Sequence, residues 1–288
     1  MSSIPYTNEY ARATAETIVV TGGTDGLGRA VVRHRLAADA TVLIIGRDPA
    51  KGAALLAEAA RLGTGRAHFI TADLSLVGET REAIEEVRSL VTEVDALVLC
   101  ARHFSSARTV TAEGFESTFA LSYLSRFVAC HEMSDLLEAA PAPVILNVAG
   151  PTGAAPPAIR WADPGLEHDY DGGTAMRQAG PLNDLLGVGF TLHRPSTTVR
   201  YVLFHPGVVD SGFAGEYDAA DAARIAALRQ TAVPVEQAVH PLLAVLDEPP
   251  TAPLSAFMTG TPISVDGPAF DVEDARRLHT ATLRLLRR

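Results

Sequence analysis

The chain has 288 residues, with 24 Lys and Arg against 34 Asp and Glu, a formal charge of −10, and an apolar share of 47% that is ample for a packed core. That balance excludes electrostatic capture of nucleic acid, which needs a basic face. Cys100 and Cys130 form no C-x-x-C pair and the histidines show no ligand spacing, so no metal is expected. No apolar run approaches the length of a membrane span and the polar residues 1–16 lack an apolar signal core, so the expectation is a cytoplasmic protein without membrane or nucleic-acid partners.

Strand-like apolar runs alternate with helix-period segments. Residues 17–21 read as a short buried strand and 27–37 as a helix. A strand at 41–46 precedes a helix at 49–62, and a strand at 67–71 precedes a helix at 77–91. A strand at 94–100 leads to a long helix, or a broken pair, over 113–139, followed by a strand at 143–148. This rhythm predicts an α/β, Rossmann-type, doubly wound parallel sheet. Residues 151–173, rich in Pro, Gly and Asp, read as a loop. A helix at 182–192 and a strand at 199–204 follow. The Ala-rich stretch 217–228 reads as an amphipathic helix, and with its flanks makes 211–235 a candidate lid. Further expectations are a helix at 236–246, a last strand at 255–260 and a closing helix at 272–287. With no repeat and no flexible linker, residues 1–288 read as one domain.

Gly22, Thr24, Asp25, Gly26, Leu27 and Gly28 lie between the first strand and the first helix. Small residues there let backbone approach a pyrophosphate, and the helix N-terminus supplies unpaired N–H groups and a positive dipole end. The second strand runs into Arg47, where a carboxylate would serve the ribose hydroxyl of NAD. A guanidinium matches a 2′-phosphate instead, which predicts NADP(H) as the cofactor.

Four motifs in order carry a resemblance to the short-chain dehydrogenase/reductase superfamily, and to its retinol-dehydrogenase-like pattern. Residues 21–28 are similar to its T-G-x-x-x-G-x-G. Asp73 and Leu74 resemble the pair beside the adenine. Glu113 to Glu116 resemble an E-G-F-E run. His205, Pro206, Gly207 and Val209, with Ser211 where Thr is usual, resemble the segment that borders the nicotinamide. The resemblance implies that Ala101, in place of the alanine of N-N-A-G, also touches the cofactor.

The same resemblance fails at the chemistry. The family protonates its carbonyl with a Tyr-x-x-x-Lys pair, and this chain has one lysine, Lys51. The residues four positions after its six tyrosines are Tyr10, Thr14, Phe127, Thr174, His205 and Asp221, so no alignment produces the pair. The flanking segments put Ser122 at the family's structural Asn, Gly150 at its Ser, Met176 at its Tyr and Gly180 at its Lys. In this the chain resembles the atypical, triad-lacking angucyclinone ketoreductases of the simocyclinone type.

A positioned general acid is worth about 10²–10⁴ in rate. One source is the substrate: a ketone hydrogen-bonded to its own aromatic hydroxyl carries an acid, as aromatic polyketides do. The expected activity is therefore NADPH-dependent ketoreduction of an aromatic polyketide with substrate-assisted protonation. Arg102, Ser105, Gly150 and Met176 are the candidate substrate contacts. Ser105, Ser122, Tyr123, Tyr170, His103 and Thr152 are candidate replacement acids. A non-catalytic NADP(H)-binding sensor or partner subunit, and a non-redox cyclase or dehydratase, share the fold and stay open. The ketone and the oligomeric state are not legible.

Overall fold

The computed structural model describes residues 15–63, 66–153 and 158–287; the sequence readings over residues 1–14 and 154–157 lie outside them. Eight strands form the main sheet: β1 (Thr17–Thr21), β2 (Thr41–Gly46), β3 (Arg66–Thr71), β4 (Ala96–Leu99), β5 (Val144–Asn147), β6 (Arg200–His205), β7 (Leu254–Met258) and β8 (Thr261–Ile263). Their order is β8-β7-β6-β5-β4-β1-β2-β3. All pairings are parallel except the β7–β8 hairpin. The principal helices are α1 (Gly26–Ala37), α2 (Pro49–Leu62), α3 (Val77–Leu90), α4 (Ser125–Glu132), α5 (Gly172–His193), α6 (Ala219–Arg229), α7 (His240–Asp247) and α8 (Val272–Leu285).

The central strands are apolar at nearly every position because both faces are covered. Val19, Leu43, Leu97 and Ile145 point into a core closed by α3, α4, α5 and α8. Their neighbours Ile18, Val42, Ala96 and Val144 point into a second core closed by α1, α2 and α7. The alternate layers of the doubly wound fold follow from this period of two. After β3 the chain returns to the far side of β1 as β4. The loops leaving β1 and β4 diverge there, and the C-terminal edge of the sheet opens into the crevice where such folds bind ligands.

Three expectations needed revision. The helix read from residue 182 begins ten residues earlier, at Gly172, and runs through Pro181. Asp171 caps it by accepting from Thr174 N at 2.6 Å, and Ala179, Gly180, Pro181 and Leu182 are all buried, so packing overrides the proline signal. Over 113–139 the broken pair holds rather than one long helix, but it starts later than expected, at Ser117. Glu113 and Glu116 lie ahead of it and serve as caps, one accepting from Val77 N and Gly78 N of α3, the other from Thr118 N and Phe119 N. A π-helical turn at Ala120–Leu124 then precedes α4. The last strand is followed by β8, an edge strand the sequence reading did not contain.

Candidate active site

The glycine turn after β1 is built for close approach. A β-carbon on Gly22 would lie 2.7 Å from the backbone of Ala101, one on Gly28 would overlap the carbonyl of Gly22, and one on Gly26 would lie 2.7 Å from Ser211 Cβ. Gly22 and Gly26 also sit at positive φ, +67° and +47°. These contacts bring the turn, the end of β4 and the segment after β6 together around the N-terminus of α1. Asp25 caps that helix, accepting from Gly26 N at 2.9 Å, and pairs with Lys51 at 2.8 Å. Thr24 lies beside Gly46 at the end of β2, and Leu27 is buried beneath the turn. Pro206, Gly207 and Val209 lead from β6 to Ser211, whose N–H donates to Val209 O at 2.8 Å.

Arg47 stands at the exit of β2 with its guanidinium 3.3 Å from His103 Nδ1. Burial and the Arg47 charge lower the His103 pKa, while Glu216 and Asp73 act in the opposite direction. Asp73 is held by its own turn, accepting from Ser75 N and Oγ. Leu74 beside it is buried. A glycine cradle that excludes β-carbons, the N-terminus of α1 and the arginine at the end of β2 fit a dinucleotide with a 2′-phosphate.

The positions that the sequence reading assigns to the family's serine and lysine are closed by neighbouring side chains. Gly150 sits just past β5, and a β-carbon there would overlap Asp184 Oδ1. Gly180 lies on α5, and a β-carbon there would overlap Thr152 Cγ2. Thr152 in turn places its hydroxyl 2.5 Å and its N–H 3.0 Å from Asp184 Oδ2. Asp184 is fully buried, and among the described residues its Oδ1 has no hydrogen-bond partner. Burial pushes its carboxyl up to about 6 against the lowering effect of the Thr152 bonds. Sequence reasoning did not single out Asp184; the signal was a carboxylate inside the stretch Leu182–Phe190, which is otherwise apolar except for Asn183.

Met176, which the sequence reading aligns with the family's tyrosine, accepts from Arg102 Nε at 3.2 Å. Arg102 is exposed, yet the surrounding protein desolvates it enough to lower its pKa, with Tyr217 acting the other way. Beneath it lies a buried polar seam. Arg126 donates to Asn147 Oδ1 and, at 3.0 Å, to Ala101 O. Asn147 donates to Asn183 Oδ1 at 2.9 Å and Tyr201 Oη at 2.8 Å. Asn183 donates at 2.9 Å to the carbonyl of Ser122, inside the π-helical turn. Ser122 Oγ is buried without a partner among the described residues. Burial lowers the Arg126 pKa to about 10.

Other candidate acids are committed elsewhere. The Ser105 hydroxyl is buried and donates to Ala107 O, the Tyr123 hydroxyl lies 2.7 Å from Thr282 Oγ1 in the core, and the Tyr170 hydroxyl donates to Ser105 O. Above the crevice, α6 buries one residue, Asp221, which accepts from Ser106 Oγ at 2.6 Å. Two short parallel pairings, Phe104–Ser105 with Gly215–Glu216 and Val209–Asp210 with Val233–Pro234, fasten the 211–235 segment. A recess of about 520 Å³ lined by Thr17, Thr41, Arg66 and Arg88 lies at the opposite edge of the sheet and shares no residue with the crevice. Among the described residues no group of three or more His, Cys, Asp or Glu could hold a metal, and no helix is long and apolar enough to cross a membrane.

Residues 16–162 match the family described as short chain dehydrogenase. Oxidoreductase AN1596 of Emericella nidulans is 30% identical over 197 residues, which cover 67% of this chain and 58% of that protein. The putative daunorubicin C-13 ketoreductase DnrU of Streptomyces sp. (strain C5) is 26% identical over 193 residues, 67% of this chain and 66% of DnrU. The matches thus span just under two thirds or less of these relatives' lengths. The structure of the angucycline C-6 ketoreductase LanV with bound NADP superposes with a TM-score of 0.63 at 20% identity, covering 85% of this chain and 95% of LanV. With a matching family over half its length and the doubly wound sheet of that family, the chain belongs to the short-chain dehydrogenase/reductase superfamily of oxidoreductases.

Proposed function

We propose that this chain is an NADP(H)-dependent ketoreductase that acts on a carbonyl of an aromatic, angucyclinone-like polyketide without the Ser-Tyr-Lys triad, as in the simocyclinone type. The observation that carries the reading is an intact dinucleotide cradle beside Gly150, Met176 and Gly180, none of which has an acidic side chain. The ketoreductase names of DnrU and LanV support the substrate class.

Gly22, Thr24, Asp25, Gly26, Leu27, Gly28 and Ala101 would hold the pyrophosphate and ribose, Arg47 the 2′-phosphate, Asp73 and Leu74 the adenine, and Pro206, Gly207, Val209 and Ser211 the nicotinamide end. When bound, NADPH supplies the hydride. The chain's part is proximity and orientation, which provide several kcal/mol. Arg102, Ser105, Gly150 and Met176 border the space for a flat substrate, with Arg102 facing an anionic or phenolic oxygen. The 211–235 segment is the lid of a single 1–288 domain, and closure would exclude water. A hydroxyl on the substrate itself supplies the proton that the tyrosine gives elsewhere in the family.

Single-turnover transfer of deuterium from C4-labelled NADPH to peri-hydroxy aromatic ketones, and to matched ketones lacking the hydroxyl, tests this. Label at the carbinol carbon only with the hydroxyl present is expected. No transfer to any ketone, despite tight NADPH binding, would overturn it in favour of a non-catalytic NADP(H)-binding protein or a non-redox cyclase or dehydratase.

A further inference from the structure

The two glycines at the vacated catalytic positions are not simple deletions, because each makes room for one member of a pair. Gly150 accommodates the Asp184 carboxyl and Gly180 accommodates the Thr152 methyl. The pair therefore occupies the space that the serine and lysine side chains would take. Asp184 Oδ2 is engaged by Thr152 twice, whereas Oδ1 is buried against Gly150 with no partner among the described residues. A buried carboxylate oxygen without a donor is costly, and a buried carboxylic acid is less so. Thr152 is half-buried and bonded to the buried acid, so it stands between Asp184 and solvent.

We propose that Asp184 stores a proton and Thr152 relays it to the substrate, restoring the hydroxyl that substrate-assisted reduction consumes. This rests on the ketoreductase reading. After reduction of the carbonyl carbon, the new alkoxide takes the proton of the neighbouring aromatic hydroxyl and leaves a phenolate. When Asp184 is protonated its proton sits on Oδ2 and is donated to Thr152 Oγ, the reverse of the bond to the carboxylate, which frees the Thr152 hydroxyl to donate outward. The phenolate then takes the Thr152 Oγ proton as Thr152 takes the Asp184 Oδ2 proton. Asp184 remains as a carboxylate and regains a proton from water. The sum is one hydride from NADPH and one proton from solvent added across C=O. The influences acting on the Asp184 carboxyl are burial, which raises its pKa, and the Thr152 hydrogen bonds, which lower it. Its value near 6 lets it be replenished close to neutral pH.

The test is stopped-flow reduction of 8-hydroxy-1-tetralone by NADPH, following nucleotide fluorescence and phenolate absorbance separately, with wild type, Asp184→Asn, Thr152→Val and Thr152→Ser. In the wild type the two signals should change together. In Asp184→Asn and Thr152→Val the phenolate should accumulate and decay about tenfold or more slowly, and Thr152→Ser should restore the wild-type decay. The wild-type decay rate should fall as pH rises through about 6, and the Asp184→Asn rate should not follow it. Phenolate decay that is equal in all four proteins would overturn the relay while leaving the ketoreductase reading in place. Absence of nucleotide oxidation in the wild type would overturn both. Isotope-edited infrared spectra of the protein alone provide a check independent of turnover. A carboxylic-acid band of Asp184 that disappears through about pH 6, and is missing in Asp184→Asn, is expected. Its absence at pH 5 would overturn the proton store.

Discussion

The Asp184 carboxyl lies against the α-carbon of Gly150, in the space a side chain would take at the position the sequence reading assigns to the family's serine. Restoring that serine should therefore damage the protein. Gly150→Ser forces a β-carbon into Asp184 Oδ1, and overpacking of this kind costs about 1–3 kcal/mol. Adding Asp184→Ala removes the obstacle, so the double variant should be more stable than the sum of the two single changes predicts, a coupling of about 0.5–3 kcal/mol. Urea unfolding of the four proteins measures it. Strict additivity would show that the two residues do not compete for that space.

Much of the fold was readable because local signals agreed with the global pattern. The Val19, Leu43 and Leu97 runs are apolar on both faces, and the 21–28 glycines sit where strand turns to helix. The cofactor residues were legible for the same reason: a turn that excludes β-carbons leaves glycine in the sequence. The acid positions were legible only as absences. Asp184 and Thr152, 32 residues apart, meet through the packing of α5 against the end of β5, and no periodicity reports that. The ten residues of α5 ahead of Leu182 were missed because the proline rule is local, whereas burial of Ala179 through Leu182 is tertiary.

Arg47 should decide between the two nicotinamide dinucleotides. Among the described residues its guanidinium meets a neighbouring imidazole rather than a carboxylate, so a 2′-phosphate would displace the His103 contact. A hydrogen bond to a charged group contributes about 1.5–3 kcal/mol. Arg47→Ala should then raise the dissociation constant of NADPH roughly 10–100-fold and leave that of NADH nearly as it was. Isothermal titration with both nucleotides checks this, and equal losses for the two would remove the assignment.

Ser106 should govern how firmly α6 is held. The helix buries only Asp221, and the Ser106 hydroxyl both donates to that carboxylate and accepts from Asp218 N at 3.0 Å. A segment with so little buried surface opens locally well before global unfolding. Ser106→Ala should speed amide exchange across Ala219–Arg229 while costing about 0.5–1.5 kcal/mol or less in global stability. Exchange rates in that helix identical to wild type would show that the flanking strand pairings, not Ser106, hold the segment.

His131 should make the fold acid-sensitive. It packs between Phe127 and Phe190, with His279 5.1 Å away, and its Nε2 has no partner among the described residues. Burial pushes its pKa down to about 3, helped by His279, Arg194 and His193, and burial and His193 lower His279 to about 4. Folding thus holds both rings neutral, whereas the unfolded chain protonates them near the usual histidine value of about 6.5. Because the folded value is the lower one, this stability is complete above about pH 6.5 and is lost as pH falls toward the folded values. His131→Leu removes the larger of the two shifts without stranding a hydrogen-bond partner. The drop in urea midpoint between pH 7.5 and pH 5 should therefore be smaller in His131→Leu than in the wild type. An equal drop would assign the acid sensitivity to other groups.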